Sequence, residues 1–211
     1  ETTYKKLSPA YPFIRIASSQ VPPSVEAVKD ITYTSYGDRT LQLDLYLPAS
    51  RAGKARPGIV FVHGGGWQSG VRENFAPMAI RMAQRGYASA TISYRLSPEA
   101  TYPAAIHDVK AALRWMRTHA ARYGIDPDRI AVAGGSAGGQ IASLVGVTSG
   151  IDKFDPGAKP GAVSSAAQAV INIDGLSDFT SEEARKNEDN AARKPTSAGA
   201  WFGGSYAEKA D

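Results

Sequence analysis

Cysteine is absent from this chain of 211 residues, so neither a disulfide framework nor a thiolate metal site can form, and thiols say nothing of the redox compartment. No apolar run approaches the length that spans a bilayer. Charge of one sign is never concentrated: 24 Lys and Arg stand against 20 Asp and Glu, and the net of +4 is dispersed, which leaves no footprint for nucleic acid. Histidine is scarce, with His63, His107 and His119 all in the first part of the chain. What remains is an ordinary globular composition, 43% hydrophobic and 21% charged, long enough to bury a sizeable core as one domain.

The pattern along the chain alternates strands and helices. Residues 1–25, with Pro9, Pro12, Pro22 and Pro23, read as an irregular surface arm. Two period-2 segments, 30–34 and 41–47, are joined across Tyr36-Gly37-Asp38 as a hairpin that Pro48 ends. Short apolar runs at 58–62 and 88–93 fit strands covered on both faces, and Ala76, Ala79, Ile80 and Ala83 between them have helical spacing. Strand, helix and strand in that order predict a mostly parallel sheet flanked by helices. After Pro103, Ile106, Val109, Leu113 and Met116 form one stripe of a helix, while Lys110, Arg114 and Arg117 project elsewhere. His107 and Asp108 point about 100° apart on that helix and make no couple with each other; Asp108 is expected to bond a nearby loop, and His119 to be solvated at the helix end.

Two segments carry chemistry. Ser136 lies in Gly134-Gly135-Ser136-Ala137-Gly138, preceded by the strand-like Ile130-Ala131-Val132-Ala133 and followed by a helix-like run from Gln140. A G-x-S-x-G between strand and helix is a turn so tight that its flanks exclude Cβ atoms and its serine is pushed out, exposed and strained. About seventy residues upstream stands His63-Gly64-Gly65-Gly66-Trp67. Acyl transfer gathers negative charge on the former carbonyl oxygen, and each backbone N–H fixed near that oxygen is worth roughly a hundredfold in rate. Gly65 and Gly66 can bring bare amides to it, and Ala137 adds a third at the positive end of its helix. His63 is read as an orienter of this loop, and Trp67 either lines the substrate pocket or packs the loop on the core.

These segments, together with Ser93-Tyr94-Arg95-Leu96, the run Tyr102 to Val109 and the run Tyr123 to Ile130, resemble the carboxylesterases of the α/β-hydrolase fold related to hormone-sensitive lipase and to bacterial acetyl and feruloyl esterases. The resemblance implies a serine esterase of short-chain acyl groups, with acetylated or feruloylated polysaccharide as a candidate substrate and no metal or organic cofactor. It also implies an acid and a histidine after the nucleophile, in the order Ser, Asp or Glu, His. All three histidines precede Ser136, and Asp174 and Asp178 follow the strand-like run 167–173, one strand too early.

Loss of the histidine costs on the order of a millionfold in turnover, with roughly a thousandfold over water left to the oxyanion hole and binding. The expectation is therefore one α/β-hydrolase domain over 1–211 that lacks its C-terminal strands, with 176–211 as a cap-like or connecting segment. The acid and base would come from a second chain or a segment beyond Asp211. The alternatives are a shortened, non-catalytic relative acting as a binding module, or an arylformamidase- or peptidase-like hydrolase. The chain opens at Glu1 without a signal-like apolar stretch, and a secreted or periplasmic location is expected, with the cytoplasm as the alternative.

Overall fold

The computed structural model describes residues 2–50, 53, 55–188 and 195–209. Strands β1 (Val25–Tyr36) and β2 (Arg39–Pro48) form the expected hairpin, turning at Gly37 with φ +57°. Strands β3 (Arg56–Val62), β4 (Ala88–Ile92), β5 (Ile125–Gly135) and β6 (Ala169–Ile173) complete a sheet in the order β1-β2-β4-β3-β5-β6 among the described residues. The four later strands run parallel, and β2 joins β4 antiparallel.

Helices cover both faces because the central strands are apolar on both. Helix α1 (Thr2–Leu7) lies in the N-terminal arm, so that arm is partly helical and ends where Val25 opens β1. Helix α2 (Ala76–Gln84) buries Ala79, Ile80 and Ala83 against Ile59, Phe61 and Tyr46. On the other face, α3 (Ala104–Thr118) and α5 (Ala137–Val147) pack on Val60, Val62, Ile130, Val132 and the leucines of β2. The short α4 (Ala120–Tyr123) continues from α3. The expected stripe of α3, Ile106, Val109, Leu113 and Met116, is wholly buried, each side chain contributing about 1.5–3 kcal/mol.

Lys110 departs from the sequence expectation. It is fully buried, and its ammonium donates 2.6 Å to the Thr148 carbonyl at the end of α5. The helical stripe hides this because α5 covers a flank of α3 that an isolated amphipathic helix would leave to water. His119 also departs: it is half-buried, its ring lies on Trp115 at 4.2 Å, and its Nδ1 is 2.8 Å from the Trp115 carbonyl. Asp108 follows expectation, holding the Arg95 guanidinium (2.7 Å), the Arg95 amide (2.9 Å) and the Tyr36 hydroxyl (2.7 Å) from a fully buried position.

After β6 the chain forms α6 (Glu182–Glu188), α7 (Ser197–Phe202) and α8 (Tyr206–Lys209). Helix α6 is dense in charge, and residues 189–194 after it lie outside the described residues. Strand β6 pairs only with β5 among the described residues, and Val170, Ile171 and Ile173 are 39–44% exposed. Among the described residues no helix is long and apolar enough to cross a membrane.

The connections place the site. From β3 the chain crosses by α2 to β4 on one side, and then by α3 on the opposite face to β5 on the other side of β3. Where neighbouring strands connect in opposite directions, a crevice opens beyond their carboxyl ends. Val62 and Gly134 are register partners there, so the glycine loop and the serine turn leave adjacent strands side by side.

Candidate active site

His63 follows β3 with 2% exposure, its ring stacked 4.4 Å above Tyr94. Its Nδ1 is 2.8 Å from the Gly64 carbonyl, and the Tyr94 hydroxyl donates 2.9 Å to the His63 carbonyl. Burial pushes the imidazole below its ordinary pKa and the Tyr94 phenol well above its own, so both rings are neutral. His63 is a brace for the loop, as expected, and not a base.

Gly65 turns the loop at φ +123°, where a Cβ would lie 2.2 Å from the Ser69 carbonyl oxygen, so only glycine fits. Its own carbonyl accepts from the amides of Gln68 and Ser69 and from the Ser69 hydroxyl, each at 3.1 Å. That knot leaves the amides of Gly65 and Gly66 without a protein acceptor among the described residues. Ala137, the first residue of α5, has no acceptor within its helix either.

Ser136 sits between β5 and α5 at φ 54° and ψ −122°, a region that a residue with a side chain rarely occupies, and it is exposed. Neighbours enforce this geometry. The Ser136 amide donates 2.8 Å to the Ile173 carbonyl of β6, and its carbonyl accepts 3.1 Å from Gln140. Close approach sets the other side: a Cβ on Gly138 would meet the Val62 carbonyl oxygen at 2.1 Å and that of His63 at 2.6 Å. The two loops touch, for a Cβ on Gly64 would lie 3.1 Å from that of Ser136. Ser136 and the glycine loop therefore meet side by side, and acyl transfer needs a hydroxyl and backbone donors in such proximity.

Trp67 is 6% exposed, stacked on Trp201 at 5.7 Å and tilted against Phe179 at the same distance. Its indole N–H donates 3.1 Å to Oε1 of the buried Gln140, tying the glycine loop to α5. One edge still lines a cavity of about 650 Å³ with Leu176, Phe179, Ala184 and Ser197. Trp67 thus packs the loop on the core, and it also borders a cavity. Gln140 and Trp201 were missed as site residues. The polar amide in an otherwise small and apolar helix was the available signal for Gln140, and none marks the partner of Trp67.

No imidazole bonds Ser136. His107 Nε2 is 3.0 Å from the Lys153 carbonyl and His119 lies on Trp115. Asp174 is exposed at φ 56° just after β6, and the Asp178 carboxylate is held by the Thr180 amide and hydroxyl, both 2.7 Å, which keep its pKa below the usual carboxylate range. Asp178 thus closes a turn.

The profile of the BD-FAE family matches residues 43–211, a span that holds the glycine loop, the serine turn and the segment after β6. The chain belongs to the BD-FAE family. It is 38% identical over 153 residues to the probable carboxylic ester hydrolase LipM of Mycobacterium tuberculosis, an alignment covering 72% of this chain and 35% of that protein. To the carboxylesterase NlhH of the same organism it is 48% identical over 90 residues, 42% of this chain and 28% of that one. Among solved structures, Thermogutta terrifontis esterase 2 phosphorylated by paraoxon matches with a TM-score of 0.62 at 32% identity, covering 76% of this chain and 60% of that one. A bifunctional GH43-CE protein of Bacteroides eggerthii matches with a TM-score of 0.74 at 32% identity, covering 88% and 27%. The α/β-hydrolase carboxylesterase family and fold read from the motifs are those of this BD-FAE chain. It spans about a third of the length of LipM.

Proposed function

We propose that this BD-FAE chain is the nucleophile-bearing part of a serine carboxylic-ester hydrolase that works through an acyl-enzyme on Ser136. The observation that carries this reading is the exposed Ser136 at φ 54° within touching distance of the Gly64–Gly66 loop, in which the amides of Gly65 and Gly66 have no acceptor among the described residues. Ser136 Oγ attacks the ester carbonyl carbon while a histidine takes its proton, and the amides of Gly65, Gly66 and Ala137 hold the oxyanion as the alcohol departs. Water, activated by the same histidine, then releases the acid. That histidine and its carboxylate stand in polypeptide that adds to the sheet beyond β6, as a further segment or a second chain. The edge of β6, unpaired among the described residues, and its half-exposed isoleucines support this placement, since an open parallel edge is otherwise an aggregation hazard.

Short acyl esters are the proposed substrates, with acetylated or feruloylated polysaccharide as the natural class. Membership of the BD-FAE family and likeness to a bifunctional GH43-CE protein favour that choice. The test uses the full-length protein with p-nitrophenyl butyrate and with paraoxon. Ser136→Ala is expected to lower turnover about a millionfold and to abolish the diethylphosphoryl mass gain on the Ser136 peptide. Retained turnover, or a label mapped elsewhere, would overturn the assignment. Formanilide or peptide turnover outrunning that of esters would move the chain to the arylformamidase- or peptidase-like class.

A further inference from the structure

The segment 195–209 returns to the glycine loop, and one side chain there has no structural task. Thr196 caps α7 by accepting 3.0 Å from the Gly199 amide. Trp201 anchors the helix: it is fully buried, stacked on Trp67, set edge-on to Tyr102 at 5.8 Å, and its carbonyl accepts 2.8 Å from the Tyr102 amide. Ser197 precedes Trp201 by four residues and so shares its helix face. The anchor therefore turns Ser197 towards the glycine loop, where its Oγ lies 3.1 Å from the position a Cβ on Gly66 would take.

A serine in the first turn of a helix ordinarily spends its hydroxyl on nearby backbone. Ser197 does not: it is exposed, and its hydroxyl has no hydrogen-bond partner among the described residues. It opens into the cavity of about 650 Å³ whose walls combine the apolar Trp67, Leu176 and Phe179 with the polar Ser181, Glu183 and Thr196. A pocket of this size, largely apolar with few convergent polar groups, takes a small organic ligand and reads it through those groups. Gly66 is a donor of the oxyanion hole in the function proposed above, so a hydroxyl beside it faces ester atoms close to the scissile carbonyl.

We propose that Ser197 is a specificity-determining residue whose hydroxyl donates to an ether, hydroxyl or ring oxygen of the substrate near the scissile bond. The site then prefers oxygen-bearing esters to hydrocarbon esters of equal size. This inference rests on the Ser136 esterase reading, and its test separates the two.

Two pairs of near-isosteric esters serve as probes with the full-length protein. p-Nitrophenyl methoxyacetate and butyrate differ in one acyl atom, and 2-methoxyethyl acetate and butyl acetate differ in one alcohol atom. In one pair, Ser197→Ala is expected to lower the ratio of kcat/KM for the oxygen-bearing ester over its hydrocarbon twin about three- to tenfold, the loss of one neutral hydrogen bond. Ser197→Thr, which keeps the hydroxyl, is expected to retain the ratio. The responding pair tells whether the oxygen lies on the acyl or the alcohol side.

An unchanged ratio in both pairs, or equal loss on both members, overturns the inference and leaves Ser136 untouched. Failure of the esterase reading would appear differently, as wild-type turnover no greater than that of Ser136→Ala. In that event binding of the same esters, followed by the fluorescence of Trp67 and Trp201, decides. Equal affinities of the Ser136→Ala protein with and without Ser197→Ala, for methoxy and hydrocarbon esters alike, would sink the proposal.

Discussion

Replacing Gly138 by Ala tests whether the contact between β3 and α5 sets the catalytic geometry. The added methyl would stand 2.1 Å from the Val62 carbonyl oxygen, about 1.3 Å short of ordinary contact. That carbonyl belongs to a central strand paired on both sides and cannot retreat. The N-terminus of α5 must lift instead, carrying Ser136 away from the Gly64–Gly66 loop by about an ångström. A misplacement of that size costs roughly a hundredfold in rate. Stability suffers less: overpacking costs about 1–3 kcal/mol, and the better helix propensity of Ala offsets about 1 kcal/mol of it.

Gly146 offers a control in the same helix. A Cβ there would lie 2.3 Å from Cγ2 of Val170, a side-chain atom that a χ1 rotation can move, whereas the carbonyl that Gly138 faces is fixed in a central strand. In the full-length protein, for which esterase activity is proposed, kcat/KM for p-nitrophenyl butyrate and urea denaturation should be measured for both variants. Gly138→Ala is expected to lose about a hundredfold in kcat/KM while its stability falls by no more than about 2 kcal/mol, and Gly146→Ala to keep its turnover. A Gly138→Ala enzyme within a few-fold of wild type would refute the claim that this contact positions the nucleophile.

Asp108→Ala leaves the Arg95 guanidinium, only 16% exposed, without its carboxylate and should cost about 3–5 kcal/mol in urea denaturation; a loss under about 1 kcal/mol would mean that water or another acceptor replaces it. His63 gives a pH dependence with a definite sign. Burial lowers its folded pKa below the unfolded value near 6.5, so the unfolded chain takes up a proton that the folded one refuses. Its contribution is complete above about pH 6.5 and is lost as pH falls towards the folded value, so the denaturation midpoint of wild type should drop more between pH 7.5 and 5 than that of His63→Asn. Parallel pH profiles would refute the buried, neutral assignment.

Local rules made much of this molecule legible in sequence. Ser136, Gly65 and Gly138 could be read because a strained elbow and a close backbone approach demand particular residues at fixed offsets, and such demands are written within a few positions. The hairpin and the α3 stripe were readable for the same reason, since periods of 2 and 3.6 are local. What depends on distant segments was not. Lys110 is buried because α5 crosses its flank, Trp67 is both wall and core because Trp201 returns across more than a hundred residues, and Ser197 faces Gly66 because that anchor turns α7. The chain by itself determined the local geometry of its two loops; only the tertiary structure decided that they touch and what stands over them, because contact between remote segments follows from the order of the strands and not from any neighbouring residue.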